Sequence, residues 1–187
     1  AAECRMPLCY GGGVKTVDQA KTIIGLGAEK VALSSAVLFN PELVAAIAKK
    51  VGNQSVVVVL DVKKADGTGK FEIWSNNATT NTGKCPVAFA KTLQSLGVGE
   101  IILNSIDRDG EMRGYDLELV GLVMAAITVP MSVLGGAGSL RDIGSLINRF
   151  GIIGAAAGSL FVFKGIYKAV LINYPNPIIK DQLIRDS

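Results

Sequence analysis

Two stretches of the chain match each other at a fixed spacing, and no other feature limits its fold as tightly. They are "YGGGVKTVDQAKTIIGLGAEKVALSSAVLF" near the start and "LGGAGSLRDIGSLINRFGIIGAAAGSLFVF" near the end. A spacing of 124 residues pairs Gly11 and Gly12 with Gly135 and Gly136, Asp18 with Asp142, Gly27 with Gly151, Ser35 with Ser159 and Phe39 with Phe163. Each copy reads as strand, glycine turn, helix, strand, small polar turn, helix. Glycine directly after a strand lets the backbone approach an anion closely. A Ser at the end of the next strand adds a hydroxyl and a helix N-terminus. Two such loops side by side form a phosphate cradle. One glycine turn alone reads equally well as a tight connection. Two copies at one spacing, facing each other across a barrel mouth, call for a substrate with a phosphate at each end.

The rest of the chain fits the same architecture. Short apolar runs at 6–10, 30–33, 56–61, 100–104, 131–134 and 152–157 read as strands. Amphipathic stretches at 16–26, 41–50, 86–96, 117–126 and 140–150 read as helices, with Pro41 and Pro86 at helix starts. This alternation predicts parallel βα units, six of them, in a single domain over residues 1–187; an open doubly wound sheet accepts six, whereas a (βα)8 barrel needs eight. Residues 70–75 read as an extra strand in a long loop after Asp61. Half the residues are apolar and aromatics are scarce, which suits strands covered on both faces.

Several function classes drop out. The net charge of +3 is too small and too dispersed for a nucleic-acid surface. With no His, His-based metal sites and triads are excluded, and Cys4, Cys9 and Cys85 lack metal-ligand spacing. Neither a metal nor a cofactor is expected. Three cysteines fit reduced thiols and a cytoplasmic setting. Residues 119–138 carry no charge, but Pro130, Gly135 and Gly136 break the run, so no membrane span is expected.

Chemistry is expected at the C-terminal strand ends. Asp61 closes the run "SVVVVLD" and is placed for acid/base work. The segment "NSIDRDGEMRGYD" offers Asp107 and Asp109, one for chemistry and one for the turn, with nothing to choose between them. Lys30 and Glu100 stand at strand N-terminal ends, where a solvated ion pair is the plain reading.

These residues carry a resemblance. "YGGGVKTVDQA", "SVVVVLDVKK", "NTG" at 81–83, "GEIILNSIDRDGEMRGYD" and "LGGAGSLRDI" together resemble the cyclase subunit family of imidazole glycerol phosphate synthase. The tail "GAAAGSLFVFKGIYKAVLINYP" is closer to a branch implicated in surface-polysaccharide sugar amidation. The resemblance implies a (βα)8 TIM barrel of the ribulose-phosphate-binding type, present here as strands 3 to 8. It implies a lyase-type cyclase that uses ammonia from a glutaminase (a class I amidotransferase) docked at the barrel's bottom face. Its substrate is a ribulosyl compound with two phosphates.

By the same resemblance, Asp61 and Asp109 are the catalytic acids. Gly12, Ser34 and Ser35 bind one phosphate and Gly136, Gly158 and Ser159 the other, while Gly110 is the phosphate-binding glycine after the sixth strand. Asn77 and Asn104 lie on the substrate side, where hydroxyl residues are common. Lys30 and Glu100 belong to a charged gate for ammonia, which replaces the plain ion-pair reading. Leu134 stands where the histidine-pathway enzyme usually has Ser, a departure that favours the surface-sugar branch. The family's first-strand Asp has no counterpart. Two absent strands would leave bare sheet edges. Either the gene product is longer by roughly 60 residues, from the usual barrel size, or self-association fills the gap, and the 187-residue species is expected to be a poor catalyst. Two other functions remain: the related sugar isomerase of histidine synthesis, against which "SIDRDGEMRGYD" argues, and a non-catalytic scaffold for a glutaminase.

Overall fold

The computed structural model describes residues 6–65, 67–165 and 167–185. Cys4, one of the thiols considered above, lies outside the described residues. Six parallel strands form a curled sheet in the order β1 (Cys9–Gly11), β2 (Lys30–Leu33), β3 (Val56–Lys64), β6 (Glu100–Ser105), β7 (Met131–Leu134) and β8 (Gly154–Ala155). Sequence order and spatial order agree along this path, as right-handed βα units require. The helices between them are α1 (Val17–Gly25), α2 (Ser35–Phe39), α3 (Glu42–Val51), α4 (Pro86–Ser95), α5 (Leu117–Met124), α6 (Leu140–Phe150) and α7 (Ser159–Val162). The result is an arc of a (βα)8 barrel.

Local chemistry sets where helices begin. Thr16 caps α1 and Ser139 caps α6, each in a capping box closed by Gln19 or Asp142. Pro86 opens α4, where its missing N–H costs nothing. Helix α3 carries Glu42 in its first turn and Lys49 and Lys50 in its last, matching the helix dipole.

The strands alternate between two faces. Val56, Val58, Leu60 and Val62 of β3 join the main core against the helices, with Ile47, Leu93 and Leu119 among their neighbours in it. Their alternates Val57, Val59, Asp61 and Lys63 turn to the barrel interior. The same alternation puts Glu100, Ile102 and Asn104 of β6 and Ser132 and Leu134 of β7 on the interior face.

Some elements differ from the sequence reading. The loop after β3 holds two strands, β4 (Phe71–Ser75) and β5 (Thr80–Lys84), forming an antiparallel meander on β3. The polar β5 has no hydrophobic alternation to announce it. The last parallel strand pairs over only two residues where six were expected. After Ile152 and Ile153 the stretch continues as Gly and Ala without β-branched side chains, and a Cβ at Gly154 would sit 2.1 Å from Ser132 Oγ. A small hairpin, β9 (Phe163–Lys164) and β10 (Ala169–Val170), and helix α8 (Pro177–Arg185) follow. Among the described residues no helix is long and apolar enough to cross a membrane.

The repeat also needs a correction. The consecutive turn glycines at positive φ are Gly12 and Gly13 in one copy and Gly135 and Gly136 in the other. The copies therefore correspond one residue off the 124 spacing through the turn and return to it at the N-caps Ser34 and Gly158. Gly11 belongs to β1 and does not pair with Gly135. Asp18 does not repeat the role of Asp142, because Gln19 closes the α1 capping box.

Candidate active site

The C-terminal ends of the strands gather the polar residues. One row crosses four strands in register: Trp74 on β4, Asp61 on β3, Asn104 on β6 and Leu134 on β7. Asp61 is held from both sides. Asn104 Nδ2 donates to its Oδ1 at 2.9 Å, and the Ser34 hydroxyl donates to its Oδ2 at 3.4 Å. A carboxylate fixed between a donor on β6 and one just beyond the end of β2 has little rotational freedom and keeps lone pairs for a proton.

Asp107 and Asp109 separate by placement. The Asp107 carboxylate accepts the backbone N–H of Lys64 at 3.0 Å, which ties the loop after β6 to the end of β3. Asp109 instead lines a small cavity together with Gly110, Gly136, Gly158 and Ser159. Two sets of residues, Asp109 with Gly110 and Gly136 with Gly158 and Ser159, thus share one hollow. The loop after β6 docks there through the Gly114 N–H, which donates to the Gly136 carbonyl at 2.7 Å. Tyr115 is buried and its hydroxyl donates to the Ala156 carbonyl at 3.0 Å. Burial, with the charge of Asp142 adding to it, pushes this hydroxyl up to about 12.

The other set is less compact. Gly12 lines an apolar groove with Leu8, Tyr10 and Gly13, which Ser34 and Ser35 do not line. Ser34 turns to Asp61, and Ser35 opens the short helix α2. Asn77 is exposed at the β4–β5 turn, in a run of three left-handed residues with Asn76 and Ala78.

At the opposite strand ends, Lys30 Nζ and Glu100 Oε2 pair at 2.5 Å, and Ser132 donates to Glu100 Oε1 at 2.5 Å. Burial pushes the nearby Cys9 thiol up, Glu100 adds to the effect and Lys30 opposes it. Sequence reasoning missed Ser132, Trp74 and Lys63. Lys63 stands two residues after Asp61 on the same face, with its ammonium 5.3 Å from the Trp74 ring centroid. The two-residue strand period after Asp61 was signal enough to place it.

The fold and this end-to-end division of polar groups define a class: a (βα)8-barrel protein with Asp61 and the glycine turns at the C-terminal strand ends and a charged pair at the N-terminal ends. The family model described as histidine biosynthesis protein matches residues 1–168, and the chain belongs to that family. Its relatives include the "Putative imidazole glycerol phosphate synthase subunit hisF3" of Vibrio vulnificus (strain YJ016), 54% identical over 98% of this chain and 71% of the relative. A Leptospira interrogans protein of similar description, subunit HisF, is 54% identical over 98% of this chain and 72% of its own length. The imidazole glycerol phosphate synthase subunit HisF of Clostridium botulinum (strain Okra / Type B1) is 36% identical over 90% of this chain and 67% of its own length.

Proposed function

We propose that the chain is the cyclase-type subunit of an imidazole glycerol phosphate synthase, working within a single domain on a ribulosyl substrate with two phosphates. The observation that carries this reading is Asp61, a lone carboxylate in its strand row, fixed between Ser34 and Asn104 at the barrel mouth. Ammonia, released by a glutaminase docked against the bottom face, enters past Lys30 and Glu100. Its nitrogen attacks the ribulosyl carbonyl, Asp61 takes the proton the nitrogen loses, and Asp109 gives a proton to the carbonyl oxygen, so that the adduct is a carbinolamine with a new C–N bond and a hydroxyl where the C=O double bond was. The cavity of Gly110, Gly136, Gly158 and Ser159 takes one phosphate, with Asp109 as second acid/base group, and Gly12, Ser35 and the backbone at Ser34 serve the other. Free thiols at Cys9 and Cys85 fit a cytoplasmic protein.

The test uses protein expressed from the complete gene, with ammonium salt as nitrogen donor and the bisphosphorylated ribulosyl substrate. Turnover is expected, and Asp61→Asn should lower kcat by about 100-fold or more. A folded protein without turnover refutes the histidine-pathway reaction. Leu134 favours a second reading, amidation of a surface sugar: it places an apolar side chain beside Asn104 in the mouth row, which alters what the mouth accepts. That reading predicts ammonia-dependent turnover of a different keto-sugar and none of the first substrate.

A further inference from the structure

Among the described residues, two buried side-chain polar atoms have no hydrogen-bond partner: Trp74 Nε1 and Asn104 Oδ1. They belong to the two residues paired in register with Asp61, one on each side. Buried polar atoms are nearly always satisfied, so a pair of orphans flanking one carboxylate asks for a cause.

The surroundings of Asn104 supply it. The residue is 9% exposed. On one side its Nδ2 donates to Asp61. On the other side its row partner is Leu134, which has no donor to offer. Gly135 closes over it so tightly that an added Cβ would lie 2.9 Å from Asn104 Oδ1. The amide cannot turn round to relieve the orphan, because Oδ1 would then face Asp61 Oδ1, oxygen against oxygen, and the 2.9 Å hydrogen bond would be lost. An unsatisfied buried acceptor costs about 1–3 kcal/mol. A residue kept for stability alone would not carry that cost when a leucine of similar size would avoid it.

We infer that Asn104 is a positioning residue for the reaction: it locks the Asp61 carboxylate in the rotamer that faces the substrate, at the expense of its own carbonyl. Ser34, the residue after β2 at the N-cap of α2, restrains the other carboxylate oxygen, so the acid is clamped from both sides. Asn104 does not touch the reacting atoms, and its whole effect passes through Asp61. The inference rests on Asp61 being the acid/base group of the proposed function.

The experiment measures kcat, KM and the urea unfolding midpoint for wild type, Asp61→Asn, Asn104→Leu, Asn104→Asp and Asn104→Thr, all in the full protein. Asn104→Leu removes both donor and orphan. Its kcat is expected to fall by about 10- to 100-fold, the scale of a misplaced catalytic group. Its KM should stay within about threefold, since kcat alone reports an interaction acting on the transition state. Its unfolding midpoint should equal or exceed that of wild type. Asn104→Asp, which repels Asp61, should be at least as slow. Asn104→Thr returns a hydroxyl donor like that of Ser34 and should recover most of the lost kcat. The inference is overturned if Asn104→Leu keeps kcat within about threefold of wild type, or if the rate loss follows a lowered unfolding midpoint, or if KM alone rises. An active Asp61→Asn protein would instead remove the underlying reading, so the two failures are distinguishable.

Discussion

Replacing Gly136 by Ala should damage the mouth of the barrel far more than replacing Gly110, although both glycines line the same cavity. Gly136 sits at φ +110°, and a Cβ there would lie 2.2 Å from the Gly114 carbonyl oxygen and 2.8 Å from its carbon. Both obstacles are backbone, so no side-chain rotation relieves them. The loop after β6 has to lift, which breaks the 2.7 Å bond from the Gly114 N–H to the Gly136 carbonyl. It also loosens Tyr115, which is only 5% exposed. Left-handed strain costs about 1–2 kcal/mol, the lost hydrogen bond about 1 kcal/mol, and partial exposure of the tyrosine about 1–2 kcal/mol. The expected loss for Gly136→Ala is about 3–5 kcal/mol, at the severe end for single substitutions. Gly110 has φ +77° and nothing within 4 Å of its added Cβ. There only the strain remains, offset in part by the stiffer unfolded chain, for a net loss of about 0–1.5 kcal/mol. Urea unfolding of both variants with unchanged m-values measures the difference. If the two variants lie within about 1 kcal/mol of each other, the docking of the β6 loop on the glycine turn is not what Gly136 is for.

Other perturbations have equally definite outcomes. Lys30→Met leaves Glu100, 15% exposed, without its cation; because Lys30 is 39% exposed, the loss in urea unfolding should be about 1–3 kcal/mol, below that of a fully buried pair, and Glu100→Met added to it should recover most of the loss. Tyr115 ionises at about 12 when folded and near 10.0 when unfolded, so its stabilising contribution is complete below pH 10 and is lost as pH rises towards 12. Wild-type stability should therefore fall by about 2–3 kcal/mol over that window, and Tyr115→Phe should lack this part of the decline. Ser139→Ala should cost about 1 kcal/mol, because the α6 cap loses the hydroxyl that accepts the Asp142 N–H.

The sequence was most informative where a residue's role depends on its own strand. Asp61 is legible because five apolar residues end on it. Lys30 and Glu100 are legible because each opens a strand, and parallel strands put those ends on one face. Helix starts at Thr16, Pro86 and Ser139 follow from short-range capping chemistry. The register of the repeat was less secure, because three consecutive glycines in "YGGGV" match two in "LGGAG" in either of two ways. Only backbone conformation chooses between them: Gly11 extends β1 while Gly12 and Gly13 turn.

What the sequence could not show is lateral. Asp61 and Asn104 are 43 positions apart, and Ser132 lies 32 from Glu100, yet each pair is bonded across adjacent strands. No local period encodes such a meeting; it exists only once strand order and register are set. The same holds for Asp107 and Asp109, identical in type and two residues apart, which part company because one lies beside the end of β3 and the other beside the glycine turn of β7. A parallel barrel divides its labour accordingly. Each strand sequence decides which residues reach the mouth, and neighbouring strands decide what those residues can do there. Asp61 with Trp74 on one flank and Asn104 on the other is the clearest instance, since both neighbours carry unsatisfied atoms that no property of their own strands explains.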